Sequence, residues 1–386
     1  MKAVELFAGI GGFRIAADRL GFDSVWANDI CPLACSVYRN RFGECELREG
    51  DIATLASGIP AHDVLTGGFP CQPFSSAGKK RGIQDPRGTL FEHIVETLTK
   101  HNPKYFVLEN VKRLLTMDSG RHFATILASL AELDYAIEWR LLNAIHFGLA
   151  QNRQRVFIIG IRQSAVGADV KSPSTRLAAP EEIGRQQRGK VALSASIRDW
   201  LDIESHGAKF PDWGLARKGR FTGCDPLRFQ SVAPSALLKS ALETNTAPEF
   251  DFTESTLSRL EKSALVNRFI HGVEILSNQG GGARMGYTVF GINGVAPTLT
   301  ATPSRHYERY KIEDCYRRLT NVEYARLQGF PDDHCSAVSV YNQYGLYGNA
   351  VPPPMAEWVL SRLTLPGIPL EQVVRHRRQK ELFADV

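Results

Sequence analysis

The sequence predicts an α/β protein with a doubly wound, Rossmann-like sheet and a second, smaller and less regular domain. Residues 1–160 alternate short apolar runs with segments of helical periodicity, which is typical of a parallel sheet covered by helices. Residues 164–190 are instead rich in Ser, Pro, Arg and Gln, and shorter segments with many turn residues follow. We therefore expect residues 1–163, completed by 338–386, to form the first domain, and 164–337 the second.

The individual elements follow from periodicity. The predicted strands are short apolar runs that each lead into glycine or polar residues, at 4–7, 25–27, 64–65, 105–108 and 156–159. The predicted helices repeat apolar residues every three or four positions, at 13–20, 33–41, 91–98, 123–133 and 356–363. Ligands of such a sheet bind at the carboxyl ends of its strands, so the polar residues that follow each strand are the candidate site residues.

Composition excludes several classes of protein. The chain is 43% hydrophobic and has no apolar run long enough to span a bilayer, and its N-terminus leads directly into a predicted core strand. The seven cysteines are odd in number and scattered, which indicates a reducing compartment, and we expect a cytoplasmic protein. Cys31, Cys35 and Cys45 are close in sequence but lack paired ligand spacing, so we expect small buried side chains and no metal.

The positive charge of the chain is concentrated in its middle. Between Arg162 and Arg318 lie 22 of the 46 Lys and Arg residues but only 17 of the 41 Asp and Glu residues. A polyanionic partner that contacts this region would explain the asymmetry, and so would chance variation on a solvated surface.

A glycine-rich segment, residues 5–12, follows the first predicted strand. Glycines at such a turn let the backbone approach a ligand closely. A dinucleotide fingerprint requires a third glycine where this chain has Arg14, which disfavours NAD. Asp29, at the end of the second strand, is suited to accept hydrogen bonds from ribose hydroxyls. An adenosine-type ligand without a pyrophosphate fits both features, whereas a tight structural turn would explain the glycines alone.

A cysteine lies between prolines in the segment 67–76, directly after the third predicted strand. Structural cysteines are usually found inside a strand, so Cys71 in a Gly/Pro/Ser loop is the candidate nucleophile. Lys79, Lys80 and Arg81 follow between two glycines. This basic segment either closes over a phosphate backbone or forms a solvated loop.

Charged residues accompany the fourth and fifth predicted strands. Glu109 follows the fourth strand, where a partly desolvated carboxyl group can donate a proton, although it can also cap a helix. Arg153 and Arg155 precede the fifth strand at alternate positions and are expected on one face of an extended segment. Their forked guanidinium groups suit a base carbonyl, a carboxylate or a phosphate, or a surface salt bridge.

Taken in order, these four segments resemble the cytosine carbon-5 DNA methyltransferase family of the bacterial restriction–modification type. Further matches lie at 85–91, 318–331 and 347–353, so that the resemblance covers residues 2–160 and 317–360. Two positions depart from the family pattern: Glu5 replaces the usual Asp, and Asp29 lies where Glu is frequent. We expect these changes to shift the ligand geometry slightly.

The resemblance implies a mechanism in which Cys71 adds to carbon 6 of a flipped-out cytosine. Glu109 would bond the ring nitrogen and the exocyclic amine, and Arg155, with Arg153 behind it, would contact the base carbonyl. It further implies S-adenosylmethionine as cofactor, with S-adenosylhomocysteine as product. The residues expected to hold the cofactor are Phe7, Ala8, Gly9, Gly11, Gly12, Asp29, Ile30, Asp51, Ile52, Pro70, Leu90, Asn349 and Val351.

The resemblance also implies double-stranded DNA as partner, read by the middle region as a target-recognition domain. The residues expected to contact DNA are Ser75, Lys79, Lys80, Arg81, Arg284, Thr298, Leu299 and Arg305. We expect a monomer and a cognate restriction endonuclease that acts separately. The alternatives are a tRNA cytosine methyltransferase and a catalytically silent DNA-binding regulator. The intact Cys71, Glu109, Arg153 and Arg155 disfavour the silent regulator.

Overall fold

A computed structural model describes residues 1–70, 90–165, 174–177, 183–187, 190–193, 195–197, 200–226, 236–280, 285–301 and 308–369. The helices in these ranges are α1 Gly12–Arg19, α2 Pro32–Phe42, α3 Ile52–Leu55, α4 Leu90–His101, α5 Arg121–Ala131, α6 Glu254–Glu261, α7 Asn321–Gln328, α8 Val340–Asn349 and α9 Pro353–Arg362. The first strands are β1 Lys2–Leu6, β2 Asp23–Asp29, β3 Leu47–Glu49, β4 Val64–Gly68, β5 Tyr105–Val111, β6 Tyr135–Asn143 and β7 Gln154–Arg162. The later strands are β8 Ser174–Thr175, β9 Ile183–Gln187, β10 Lys190–Leu193, β11 Ala195–Ile197, β12 Leu201–Asp202, β13 Trp213–Arg217, β14 Arg220–Pro226, β15 Ala264–Ile270, β16 Val273–Asn278, β17 Thr288–Phe290, β18 Arg309–Ile312, β19 Cys315–Arg317 and β20 Ile368–Pro369.

The main sheet contains the doubly wound core that the sequence predicts. Its strand order is β11-β14-β13-β6-β7-β5-β4-β1-β2-β3, with β12 paired to β14. Strands β1 to β5 pair with one another in parallel. The chain order reverses on either side of β1, which has β2 on one side and β4 on the other. This is the topological switch point at which doubly wound sheets bind their ligands.

Successive side chains along the strands point to opposite faces of this sheet, and both faces are buried. On β5, Phe106 and Leu108 join a core with α4 and α5, while Tyr105 and Val107 join a second core with α1 and α9. Helix α4 illustrates how the helices cover the sheet. Its fully buried Ile94 and Leu98 are four residues apart and form one apolar stripe that packs in the core with β5.

Two features of the sheet differ from the prediction. Strand β7 is antiparallel to both β5 and β6, and β6 itself lacked a clear sequence signal because polar residues interrupt it. In addition, the middle of the chain contributes strands to the main sheet after residue 161, since β13 pairs with β6 and β14 pairs with β13. Burial and cross-strand pairing, which depend on distant residues, decide both features.

A second sheet follows later in the chain. It has five strands in the order β15-β16-β17-β18-β19 and packs in a core that also includes Ile10, Ala34 and Val37 of the first part of the chain. Elsewhere, Cys35 is buried as predicted but Cys45 is exposed. Over the described ranges, no helix has the length and apolar character needed to cross a membrane.

Candidate active site

The carboxyl ends of β1, β2, β4 and β5 open into one cavity of about 390 Å³. Most of the residues predicted to hold a cofactor line it, although they come from distant parts of the chain. These are Phe7, Ala8, Gly9, Gly12, Asp29, Ile30, Asp51, Ile52, Pro70, Leu90, Asn349 and Val351. The cavity is therefore formed by the switch point of the sheet together with the segment between α8 and α9.

The glycine-rich loop requires glycine for two close approaches. Gly11 has a φ of +81°, and a Cβ there would lie 2.4 Å from the ring of Phe42. It faces α2 and does not line the cavity. A Cβ on Gly12 would lie 2.1 Å from the carbonyl oxygen of Val351. The first turn of α1 thus packs directly against the segment that closes the cavity.

Asp29 fixes the loop and forms part of the cavity lining. Its Oδ2 accepts a hydrogen bond of 2.7 Å from the amide of Gly9, and its Oδ1 accepts one of 2.8 Å from the amide of Cys31. Burial raises the pKa of Asp29, and the backbone donors oppose that rise. A carboxylate oxygen accepts more than one hydrogen bond, so both oxygens retain capacity for a ligand hydroxyl.

Glu109 and Arg155 form a buried ion pair in the wall of the same cavity. The Nε of Arg155 lies 2.9 Å from Oε1 of Glu109, and both residues line the cavity. Burial raises the pKa of Glu109, while the charges of Arg155 and Arg153 lower it. Burial likewise lowers the pKa of Arg155. Burial and the two arginine charges therefore act on this carboxyl group in opposite directions, a pattern that is frequent at functional sites.

Arg153 occupies a different place from Arg155. Its side chain is fully buried and donates hydrogen bonds of 2.9–3.0 Å to the carbonyl oxygens of Leu299, Gly348 and Ala350. It does not line the cavity. The expected common face of the two arginines is not observed, because β7 begins only at Gln154 and Arg153 precedes the regular extended segment. Arg153 instead joins the start of β7 to Leu299 and to Gly348 and Ala350, of which the last two line the cavity.

Asn110, to which the sequence assigned no role, holds the segment that leads to Cys71. The side-chain amide of Asn110 donates a hydrogen bond of 2.9 Å to the carbonyl of Phe69. Phe69 and Pro70 line the cavity, and Cys71 is the next residue in the chain. Cys71 itself lies outside the described residues. The signal for Asn110 was its place beside Glu109 at the end of β5.

Cys31, Gly50 and Leu346 also line the cavity without having been predicted to do so. Cys31 and Gly50 are sequence neighbours of predicted residues and so had a local signal. Leu346 had none, because only the packing of α8 brings it to the cavity.

The residues predicted to contact DNA are only partly described. Thr298 is half-buried and donates its hydroxyl to the carbonyl of Asn152 at 2.6 Å. Leu299 is fully buried, so that its side chain packs in the core and presents no surface to DNA. The remaining predicted DNA contacts lie outside the described residues: Ser75, Lys79, Lys80, Arg81, Arg284 and Arg305.

A doubly wound sheet with a glycine loop after β1, a carboxylate on the last residue of β2 and an acid–arginine pair beside the cavity defines a Rossmann-like ligand-binding fold. A family model described as C-5 cytosine-specific DNA methylase matches residues 1–364. The chain belongs to the C-5 cytosine-specific DNA methylase family and is a DNA cytosine-5 methyltransferase. The predicted family and fold class are thereby confirmed.

Individual relatives agree with this assignment. The Type II methyltransferase M.NgoBI of Neisseria gonorrhoeae is 33% identical over 357 residues, which cover 92% of this chain and 90% of the relative. The Type II methyltransferase M.Sau3AI of Staphylococcus aureus is 30% identical over 388 residues, covering 92% and 93%. The crystal structure of S. pombe Dnmt2 methyltransferase superposes with a TM-score of 0.61 over 94% of this chain and 98% of that chain. Its 18% identity supports the fold alone.

Proposed function

We propose that this protein transfers the methyl group of S-adenosylmethionine to carbon 5 of a flipped-out cytosine in a specific duplex DNA sequence, through a covalent adduct with Cys71. One observation carries the proposal. The glycine loop of β1, the Glu109–Arg155 pair and Pro70, which directly precedes Cys71, all line a single cavity. A methyl donor and a base held there would share one water-poor space.

The residues of the cavity fit the cofactor. Its volume lies in the range of small-molecule sites, and the backbone at Gly9 has no side chain to block close approach. Asp29 is assigned to the ribose hydroxyls, Asp51 and Ile52 to the adenine edge, and the segment 349–351 to closure of the pocket. When bound, S-adenosylmethionine supplies a methyl group activated by its sulfonium sulfur.

The protein side of the reaction uses a nucleophile, an acid and a cation. The Cys71 thiolate adds to carbon 6, and the electrons of the 5,6 double bond move toward carbon 5. Glu109 hydrogen-bonds ring nitrogen 3 and the exocyclic amine and so stabilises the negative charge that develops on the ring. Arg155 orients Glu109 and contacts the base carbonyl. After carbon 5 takes the methyl group, its proton leaves to a base, the double bond re-forms and Cys71 is expelled.

Duplex DNA and a separately acting restriction endonuclease are the partners of this proposal. The middle of the chain is assigned to reading the sequence, since it carries the excess of basic residues. The relatives named above are Type II methyltransferases, which supports the restriction–modification setting.

Covalent trapping tests this proposal. Wild type and Cys71→Ser are incubated with a duplex library containing 5-fluorocytosine and with S-adenosylmethionine, and then separated on a denaturing gel. Fluorine at carbon 5 prevents the final proton loss, so wild type should remain attached to DNA and Cys71→Ser should not. Sequencing the trapped duplex identifies the recognition site. The absence of an adduct from folded, cofactor-binding protein would contradict the proposal. A parallel incubation uses a tRNA pool that contains 5-fluorocytosine, and an adduct with this pool alone would identify RNA as the substrate.

A further inference from the structure

A buried histidine from the C-terminal part of the chain contacts the glycine-rich loop. The Nε2 of His334 lies 2.7 Å from the carbonyl oxygen of Ile10, although the two residues are 324 positions apart. His334 is 1% exposed and Ile10 is 2% exposed. Ile10 lines the cavity, whereas His334 does not. The contact is therefore made on the side of the loop that faces away from the cavity in which a ligand would bind.

The loop needs such support because its backbone is unusual. Phe7 and Gly9 have φ values of +55°, and Gly11 has one of +81°. Left-handed φ is strained for a residue with a side chain, such as Phe7, and persists only where surrounding contacts enforce it. The amides of the loop are fixed by its neighbours, since Ala8 donates to Asn28 at 2.8 Å and Gly9 to Asp29 at 2.7 Å. The hydrogen bond from His334 also fixes the carbonyl of Ile10, which lies between the left-handed Gly9 and Gly11.

His334 is itself held firmly. Its ring packs at 4.7 Å from the ring of Phe330 and at 6.1 Å from that of Phe42 on α2. The neighbouring Asp333 forms an ion pair of 2.9 Å with Arg41, also on α2. One helix therefore contacts both the loop, through Phe42 and Gly11, and the segment that carries His334.

The hydrogen-bonding state of the ring is also set by the structure. The Ile10 carbonyl can only accept, so Nε2 must carry the proton. Among the described residues, the buried Nδ1 has no hydrogen-bond partner, which agrees with a neutral ring. Burial lowers the pKa of His334 to about 4, with Arg41 and Asp333 as the nearby charges that act in opposite directions. The ring thus remains a neutral single donor across the physiological pH range.

We propose that His334 is a positioning residue for the cofactor, which acts by holding the Ile10 carbonyl and, through it, the backbone of the loop 7–12 in its ligand-binding conformation. The inference deepens the proposed function, since it takes S-adenosylmethionine as the ligand of the loop. It assigns to His334 no contact with cofactor or base. Its loss should therefore raise KM for S-adenosylmethionine more than it lowers kcat.

Two variants separate the hydrogen bond from the packing. His334→Phe keeps a buried ring but removes the donor, while His334→Gln keeps an N–H donor and removes the ring. We expect His334→Phe to bind S-adenosylhomocysteine about tenfold more weakly in calorimetry, and His334→Gln to retain most of the affinity even where its Tm falls. His206→Phe is the matched control, because His206 packs between Phe210 and Phe221 and does not line the cavity.

Hydrogen exchange without cofactor provides a second readout. The amides of residues 8–12 should exchange faster in His334→Phe than in wild type, His334→Gln or His206→Phe. Unchanged affinity and exchange in His334→Phe would overturn the inference, and so would equal losses in the Phe and Gln variants, which would indicate packing alone. A wild type that binds no S-adenosylhomocysteine would instead overturn the proposed function, while the exchange result would still decide whether His334 holds the loop.

Discussion

Glu109 and Arg155 face each other across two antiparallel strands, with the Arg155 Nε 2.9 Å from the Glu109 Oε1. The pairing of β5 with β7 places Arg155 opposite Val111, two residues beyond Glu109, so both side chains emerge on the same face. Each side chain is only about a tenth exposed, 11% for Arg155 and 10% for Glu109. Since an unpaired charge at this depth is costly, each of the two groups controls the ionisation of the other.

The first prediction concerns this pair. Glu109→Gln and Arg155→Met should each reduce the methylation rate by about 10²–10³-fold, because Glu109 supplies the proton and Arg155 orients it. In Arg155→Met the pKa of Glu109 should rise further, since Arg155 lowers it in wild type. The alkaline limb of the pH–rate profile should therefore move to higher pH. Single-turnover rates measured across pH would show this shift.

A double-mutant cycle supplies the control for the pair. If the two residues act as one unit, the double variant should be about as slow as the slower single variant. Losses that simply multiply would mean that Glu109 and Arg155 act independently.

The second prediction concerns Arg153. Arg153→Met would leave three buried carbonyls without their donor, at Leu299, Gly348 and Ala350. We expect the free energy of unfolding to fall by about 3 kcal/mol or more in urea titration. Arg19→Met is the control, because the Arg19–Glu357 pair is exposed and its loss should cost less than about 1 kcal/mol. Equal destabilisation by the two variants would argue against the structural role of Arg153.

Local sequence signals were enough to predict much of this site. Asp29, Glu109 and Pro70 each follow a short apolar run that ends at the switch point of a parallel sheet, so their convergence follows from topology. The family resemblance extended that prediction to Asn349 and Val351, which come from far along the chain.

What the sequence did not predict depends on long-range packing. The donors of Arg153 reach carbonyls 146 to 197 positions away, and neither residue type nor spacing marks those carbonyls. His334 has no local signal for its bond to Ile10 for the same reason. The recruitment of β13 and β14 into the main sheet was missed because strand pairing is decided between segments and not within them.

The third prediction concerns Gly12. In Gly12→Ala the new Cβ would lie 2.1 Å from the Val351 carbonyl oxygen, so the loop and the closing segment must separate. We expect destabilisation of about 1–3 kcal/mol and weaker binding of S-adenosylhomocysteine. Gly58→Ala is the matched control, since among the described residues no heavy atom other than those of the adjoining backbone lies within 4 Å of a Cβ there. Tight cofactor binding by Gly12→Ala would show that this contact is not needed.

The fourth prediction concerns the pH dependence that Glu5 confers. Burial raises the pKa of Glu5 from 4.5 to about 8, with Arg14 lowering it and Asp29 and Asp18 raising it. Between these two values the folded chain holds a proton that the unfolded chain has released. The resulting stabilisation is complete below pH 4.5 and is lost as the pH rises through about 8.

Glu5→Gln removes this titration but keeps the size and polarity of the side chain. The Tm of wild type should therefore fall more steeply than that of Glu5→Gln between pH 5 and about 8, and the variant should be the more stable of the two at about pH 9. Differential scanning calorimetry at several pH values measures both curves. Parallel curves would mean that Glu5 is ionised in the folded protein at neutral pH. In that case the charge of Arg14 would outweigh the effect of burial on the pKa of Glu5.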